Sequence, residues 1–314
     1  MNYKILLFLF SLATSATFAQ VNYCIDTSYT VMNTFKKEIK KFPEIKIREQ
    51  KHISAVRVLN DITYTDTKTR PLQLDVFMPN TNKKNYPTII MIHGGGWKSG
   101  NKSHLFPMAE KLAEKGFICV TVAYRLSPEA KYPNGIYDIK KAIQFIKENH
   151  QKIQVDTTKL AILGCSSGGQ MAVLVGTTNL NPKFQDLESN YKSSVAVQAI
   201  IDIDGILAFH HPESKEGEMA AFWLNGTSIE NKKNWIEASA LTHVDQNTPP
   251  TLFINSQYDR FHAGRDDMVA VLKQNAIPYQ IEIIENSPHT FWLFDPYFDL
   301  TISYITQFLQ KTFK

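Results

Sequence analysis

The chain has 314 residues, 43% hydrophobic and 20% charged, with a formal net charge of +4 at pH 7. This balance suits one large globular unit with a well-buried core and excludes a disordered chain, which would carry more charge and fewer apolar residues. The small basic excess excludes a strongly electropositive nucleic-acid binder, and the cysteines, Cys24, Cys119 and Cys165, are too few and too widely spaced for a disulfide framework.

Taken from the start, one lysine precedes an apolar run at 5–13, and Thr17-Phe18-Ala19 places small residues where signal peptidase reads. Residues 1–19 are therefore expected to be a cleaved signal peptide and 20–314 the mature domain, secreted or periplasmic and without stable membrane insertion; an uncleaved anchor is the alternative. Lys36, Lys37, Lys40 and Lys41 follow without aromatic interleaving, and are expected to form a solvated helix face rather than a nucleic-acid patch. Residues 53–58 and 72–78 read as opening antiparallel strands, with Asp61 and Asn80-Thr81-Asn82 as turn material. Apolar runs at 88–92, 118–122, 160–163, 199–203, 251–254 and 280–284 are separated mostly by helix-length segments, among them 107–115 and 137–149. Such alternation predicts an α/β fold: a mostly parallel sheet with helices on both faces.

His93-Gly94-Gly95-Gly96-Trp97 comes directly after the 88–92 run. Three glycines let the backbone turn its N–H groups inward, so the loop is either an oxyanion hole or a plain flexible turn. The expected donors are the N–H groups of Gly95, Gly96 and Ser167. Further on, Lys159 to Leu163 leads into Gly164-Cys165-Ser166-Ser167-Gly168 and then an apolar helix. A G-x-S-x-G turn between strand and helix holds the serine in a cramped conformation with its hydroxyl above the sheet, which makes Ser166 the candidate nucleophile. Cys119 and Cys165 read as small buried side chains. The stretch 205–244, with Phe209, Phe222, Trp223 and Trp235 among charged residues, is expected to be a cap insertion, or else an ordinary long connection.

A serine hydroxyl needs a base, and His289, in the loop after the last expected strand, is the best placed of nine histidines. The orienting acid should fall between serine and histidine in the chain. Asp259, following the 251–254 strand, is the first choice; Asp204, following the preceding strand, is the second, and Asp266 and Asp267 suit a solvent-facing helix. Such a set needs no cofactor and no metal.

With these motifs and Tyr124-Arg125-Leu126-Ser127-Pro128-Glu129 in view, the chain from about Leu72 onward resembles α/β-hydrolase esterases of the hormone-sensitive-lipase-like group. The resemblance implies catalytic Ser166, Asp259 and His289, with Arg125 and Glu129 as structural residues. Cys165 and Ser167 depart from the usual G-D-S-A-G elbow of that group. The segments 259–267 and 288–294 look like those of secreted bacterial esterases that remove acyl groups from plant polysaccharides. That likeness implies a small-molecule or polysaccharide ester substrate, with Arg260 or Arg265 meeting a uronate and Trp97 and Trp292 stacking on sugar. The alternatives are arginines paired with Asp266 or Asp267 and tryptophans in the core. A lipase or general carboxylesterase, and a non-catalytic carbohydrate-binding protein on the same scaffold, are the competing functional readings; neither oligomeric state nor acyl length follows from the residues.

Overall fold

A computed structural model describes residues 26–81, 83–185 and 189–314, so the expected signal peptide and Cys24 lie outside the described residues. In chain order the elements are α1 (Val31–Glu38), β1 (Lys46–Ile47), β2 (Val56–Asp66), β3 (Pro71–Pro79), β4 (Tyr86–Ile92), α2 (Phe106–Glu114), β5 (Ile118–Val122), α3 (Asn134–Glu148) and α4 (His150–Ile153). There follow β6 (Val155–Cys165), α5 (Ser167–Thr177), β7 (Ala199–Ile203), α6 (Gly217–Leu224), α7 (Lys232–Glu237), β8 (Thr251–Ser256), α8 (Arg265–Gln274), β9 (Tyr279–Ile284), β10 (Phe294–Asp295) and α9 (Phe298–Thr312).

Eight strands form one sheet in the order β2-β3-β5-β4-β6-β7-β8-β9, antiparallel at β2-β3 and β3-β5 and parallel elsewhere. The inner strands read as continuous apolar runs because both faces are covered. Successive residues serve different layers: Ile90 and Ile162 pack with α3, α5 and α8, whereas Met91 and Leu163 pack with α2 and α9 on the opposite face. Each such side chain, once fully buried, contributes about 1.5–3 kcal/mol relative to leaving it in water. Every residue of α5 is buried, as expected of the helix crossing the middle of the sheet. The chain order reverses at β4, which lies between β5 and β6, and that switch point opens a crevice at the carboxyl ends of the parallel strands.

Two local readings need correction. Asp61 is not turn material: β2 runs through it, with a register slip between Leu59 and Ile62 and a positive φ of 54°. The buried Asp75 carboxylate accepts the Asp61 N–H at 2.7 Å and pairs with Lys102, so the strand bulges to serve a charge instead of ending; the hairpin turns later, where Thr67 N–H bonds Arg70 O at 3.1 Å. Lys36, Lys37, Lys40 and Lys41 are all solvent-exposed, as expected. α1 packs on the core through Phe35 and Ile39, and Phe42 and Ile45 are buried, which brings Lys37 and Lys41 to the wall of the main cleft. Helix 137–149 begins earlier, at Asn134, directly after Pro133.

The 205–244 stretch holds α6 and α7 and is tied down by aromatic packing. Trp223 stacks on Trp97 with centroids 5.1 Å apart, and its carbonyl accepts from Tyr132 N–H at 3.0 Å. Leu207 N–H bonds Ala263 O at 2.9 Å. No helix among the described residues is long and apolar enough to cross a membrane.

Candidate active site

Ser166 stands at the end of β6, with φ 55° and ψ −123°. Such a backbone costs roughly 1–3 kcal/mol and persists only when its surroundings hold it. Here they do: Ser166 N–H bonds Ile203 O at 2.8 Å, and Gln170 N–H returns to Ser166 O at 3.0 Å. A Cβ on Gly168 would come within 2.6 Å of the His93 carbonyl oxygen, so only glycine lets α5 start this close to the end of β4.

His289 lies in the loop after β9, with its Nε2 2.8 Å from Ser166 Oγ. Its Nδ1 lies 2.8 Å from Asp204 Oδ2. A carboxylate accepts, so Nδ1 carries the proton and Nε2 is left to take one from the serine hydroxyl. Asp204 directly follows β7 at φ 53° and is 1% exposed; its two oxygens accept Ser256 N–H at 2.9 Å and Ser256 Oγ–H at 2.5 Å. Phe261 lies flat on the His289 ring, centroids 3.4 Å apart at 11°, and Trp292 meets it edge-on at 5.4 Å. The imidazole is thereby fixed in plane between acid and hydroxyl.

Asp259, the expected acid, is not in this chain of contacts. It sits in a short 3-10 turn beyond β8 with its side chain 79% exposed, and His262 Nε2 lies 3.9 Å from its Oδ1. Two extra residues after β8, Gln257 and Tyr258, carry it past the site, whereas Asp204 comes directly after β7, whose end pairs with Cys165 beside the nucleophile. A signal for Asp204 was present: Asp202 and Asp204 alternate in an otherwise apolar strand end, and carboxylates are seldom buried without a task.

Gly95 and Gly96, at φ 128° and 61°, line the same cleft as Ser166, and Ser167 opens α5 where its N–H has no intrahelical acceptor. Behind them His93 locks the glycine turn. Its Nδ1 meets Gly94 O at 2.8 Å, its ring stacks on Tyr124 at 4.6 Å, and its carbonyl accepts the Tyr124 hydroxyl at 2.8 Å. Burial pushes the His93 imidazole down to about 3, so it stays neutral.

The four expected substrate contacts fare differently. Trp97 and Trp292 are each 2% exposed, and Trp97 Nε1–H donates to Gln170 at 2.9 Å; both belong to the core. Arg265 is spent on Asp266 at 2.8 Å and Asn255 at 3.0 Å. Arg260 alone lines the cleft, with one nitrogen 3.4 Å from Glu216 and its guanidinium over Phe261. Arg125 grips both oxygens of Asp138, and Glu129 accepts Arg70 at 3.1 Å, so both are framework residues. The cleft is about 730 Å³, ample for a sugar ester, and its walls include Lys37, Glu38, Lys41, Met219 and Tyr258. Among the described residues no group of three or more His, Cys, Asp or Glu is arranged to hold a metal ion.

A mostly parallel sheet with serine on a strand-to-helix elbow, histidine after the last sheet strand and an acid between them in sequence defines an α/β-hydrolase. Residues 74–269 match the family described as BD-FAE, and the chain belongs to that family, within the hormone-sensitive-lipase-like esterases. A probable carboxylic ester hydrolase, LipM, of Mycobacterium tuberculosis is 28% identical over 208 residues, 64% of this chain and 46% of the relative. The chain thus spans about half the length of the curated relatives it matches. Among solved structures, a bifunctional GH43-CE protein of Bacteroides eggerthii superimposes with a TM-score of 0.69 at 26% identity, covering 81% of this chain and 35% of that one. A truncated carbohydrate esterase from gut microbiota gives 0.69 at 21% identity, covering 85% and 99%, and shares the fold.

Proposed function

We propose that the chain is a serine carboxylic-ester hydrolase that removes acetyl or other short acyl groups from plant cell-wall polysaccharide. The observation that carries the reading is the unbroken relay from Ser166 Oγ through His289 to Asp204. Ser166 attacks the ester carbonyl as His289 Nε2 takes its proton, and the imidazolium so formed is held by Asp204. The N–H groups of Gly95, Gly96 and Ser167 receive the oxyanion, for which each donor is worth roughly 10²–10³ in rate. His289 then protonates the leaving alcohol, and water, activated by the same histidine, releases the acid from Ser166.

The carbohydrate side of the reading draws on the Bacteroides eggerthii relative and on the size of the cleft, and the leader-like residues 1–19 support export to the periplasm or beyond. A 4-nitrophenyl acetate assay tests the chemistry. The wild type turns over, and Ser166→Ala falls by roughly 10⁶ in kcat while keeping its melting temperature; undiminished turnover in that variant would remove Ser166 from the mechanism. Acetic acid release from acetylated xylan and pectin, set beside long-chain esters, tests the substrate.

A further inference from the structure

The wall of the cleft contributed by the N-terminal segment carries Lys37 and Lys41, and Arg260 joins them from the loop after β8. Against these three cations stands a single lining carboxylate among the described residues, that of Glu38. Their partners differ. Lys37 Nζ is 3.5 Å from Glu38, and Arg260 spends one nitrogen on Glu216. Lys41 has no carboxylate within ion-pair distance among the described residues. Its ammonium instead donates to the Tyr258 hydroxyl at 2.7 Å and lies 5.0 Å over the Tyr258 ring. A neutral phenol uses one of three N–H donors and leaves the charge uncompensated.

We propose that this cleft selects esters bearing a carboxylate, with Lys41 as the group that meets the anion and Tyr258 as its positioning partner. The inference deepens the esterase reading and rests on it. Tyr258 is the residue before Asp259, so the same loop that lays Phe261 on His289 also fixes the ammonium at the cleft wall. A cation held in this way aligns a substrate by its charge while Ser166 works on its ester, and Arg260 supplies a second donor. The carboxylate can belong to the alcohol half, as in an acetylated sugar acid, or to the acyl half, as in a hemisuccinate; both present the same anion.

The test is steady-state kcat/KM of the full chain on two matched pairs: an acetylated methyl glucuronoside against the corresponding glucoside, and 4-nitrophenyl hemisuccinate against 4-nitrophenyl butyrate. In at least one pair the anionic ester is expected to win by about two- to fivefold at low ionic strength, a range fitting an exposed ion pair. The pair that shows the advantage identifies the half that carries the anion. The advantage should shrink at about 0.5 M salt, where screening acts within a few ångströms, and in Lys41→Met. Lys41 is exposed, so that variant keeps its fold, which its melting temperature checks. Charged-to-neutral ratios at or below one in both pairs, or an advantage untouched by Lys41→Met, would overturn the inference and leave the esterase standing. Failure to hydrolyse any of the four esters would overturn the esterase reading, and this inference with it.

Discussion

At the residue scale, two carboxylates two positions apart have opposite surroundings. Asp204 accepts from three donors, His289 Nδ1–H and the backbone N–H and hydroxyl of Ser256 at the end of β8, and so acts as an acceptor at every contact. Asp202 is fully buried, with one oxygen accepting Gly205 N–H at 3.0 Å and the other unpartnered. Burial first, and then the charge of Asp204, push the Asp202 carboxyl well above the usual range, which favours its protonated form. Asp202→Asn should therefore be nearly silent, with a melting temperature within about 4 °C of wild type, which corresponds to roughly 1 kcal/mol. A collapse of stability in that variant would mean that Asp202 is ionised. Phe261 completes the residue-scale picture by covering one face of the base, where an aromatic ring both excludes water and favours the imidazolium.

At the element scale, α3 carries two lysines into the protein. Lys140 Nζ donates to Thr178 O at 2.9 Å and Thr178 Oγ1 at 3.0 Å, and Lys147 Nζ to Ala196 O at 2.6 Å. Neither has a carboxylate partner among the described residues, and burial pushes Lys140 down to about 7 and Lys147 to about 8. Both folded values lie below the unfolded value of 10.5, so above pH 7 the unfolded chain binds more protons than the folded one and stability rises with pH. The gain begins near pH 7 and is complete near 10.5. The melting temperature should climb between pH 7 and pH 9, and Lys140→Met with Lys147→Met should flatten that climb; an unchanged slope would show that these ammonium groups do not set it. The same helix illustrates what local pattern gives: Ile139, Ala142, Ile143 and Ile146 recur at helical spacing and are all buried, so α3 was readable from spacing alone.

At the scale of the whole molecule, what the sequence made legible was local and what it concealed was long-range. The inner strands could be read because burial on both faces leaves uninterrupted apolar runs, and the elbow because strand, glycines, serine and helix are contiguous. The acid was less legible: Asp204 and Asp259 both follow a parallel strand and both lie between Ser166 and His289 in sequence, and the alternation of Asp202 with Asp204 was the local sign in favour of Asp204. Only the lateral pairing of β6 with β7 decides which one reaches the histidine. The cleft wall was hidden for the same reason, since Lys41 meets Tyr258 across 217 positions of chain. Trp97 and Trp292 look like sugar platforms until the packing of α6 and of the His289 loop buries them. Catalysis therefore turns on the relay through Asp204, and the most direct measurement is kcat for a short acyl ester in Asp204→Asn and Asp259→Asn side by side. Asp204→Asn should lose about 10⁴ in kcat, because Asn leaves the imidazole in the wrong tautomer, while Asp259→Asn stays within a fewfold of wild type. The reverse order, or equal activities, would contradict it.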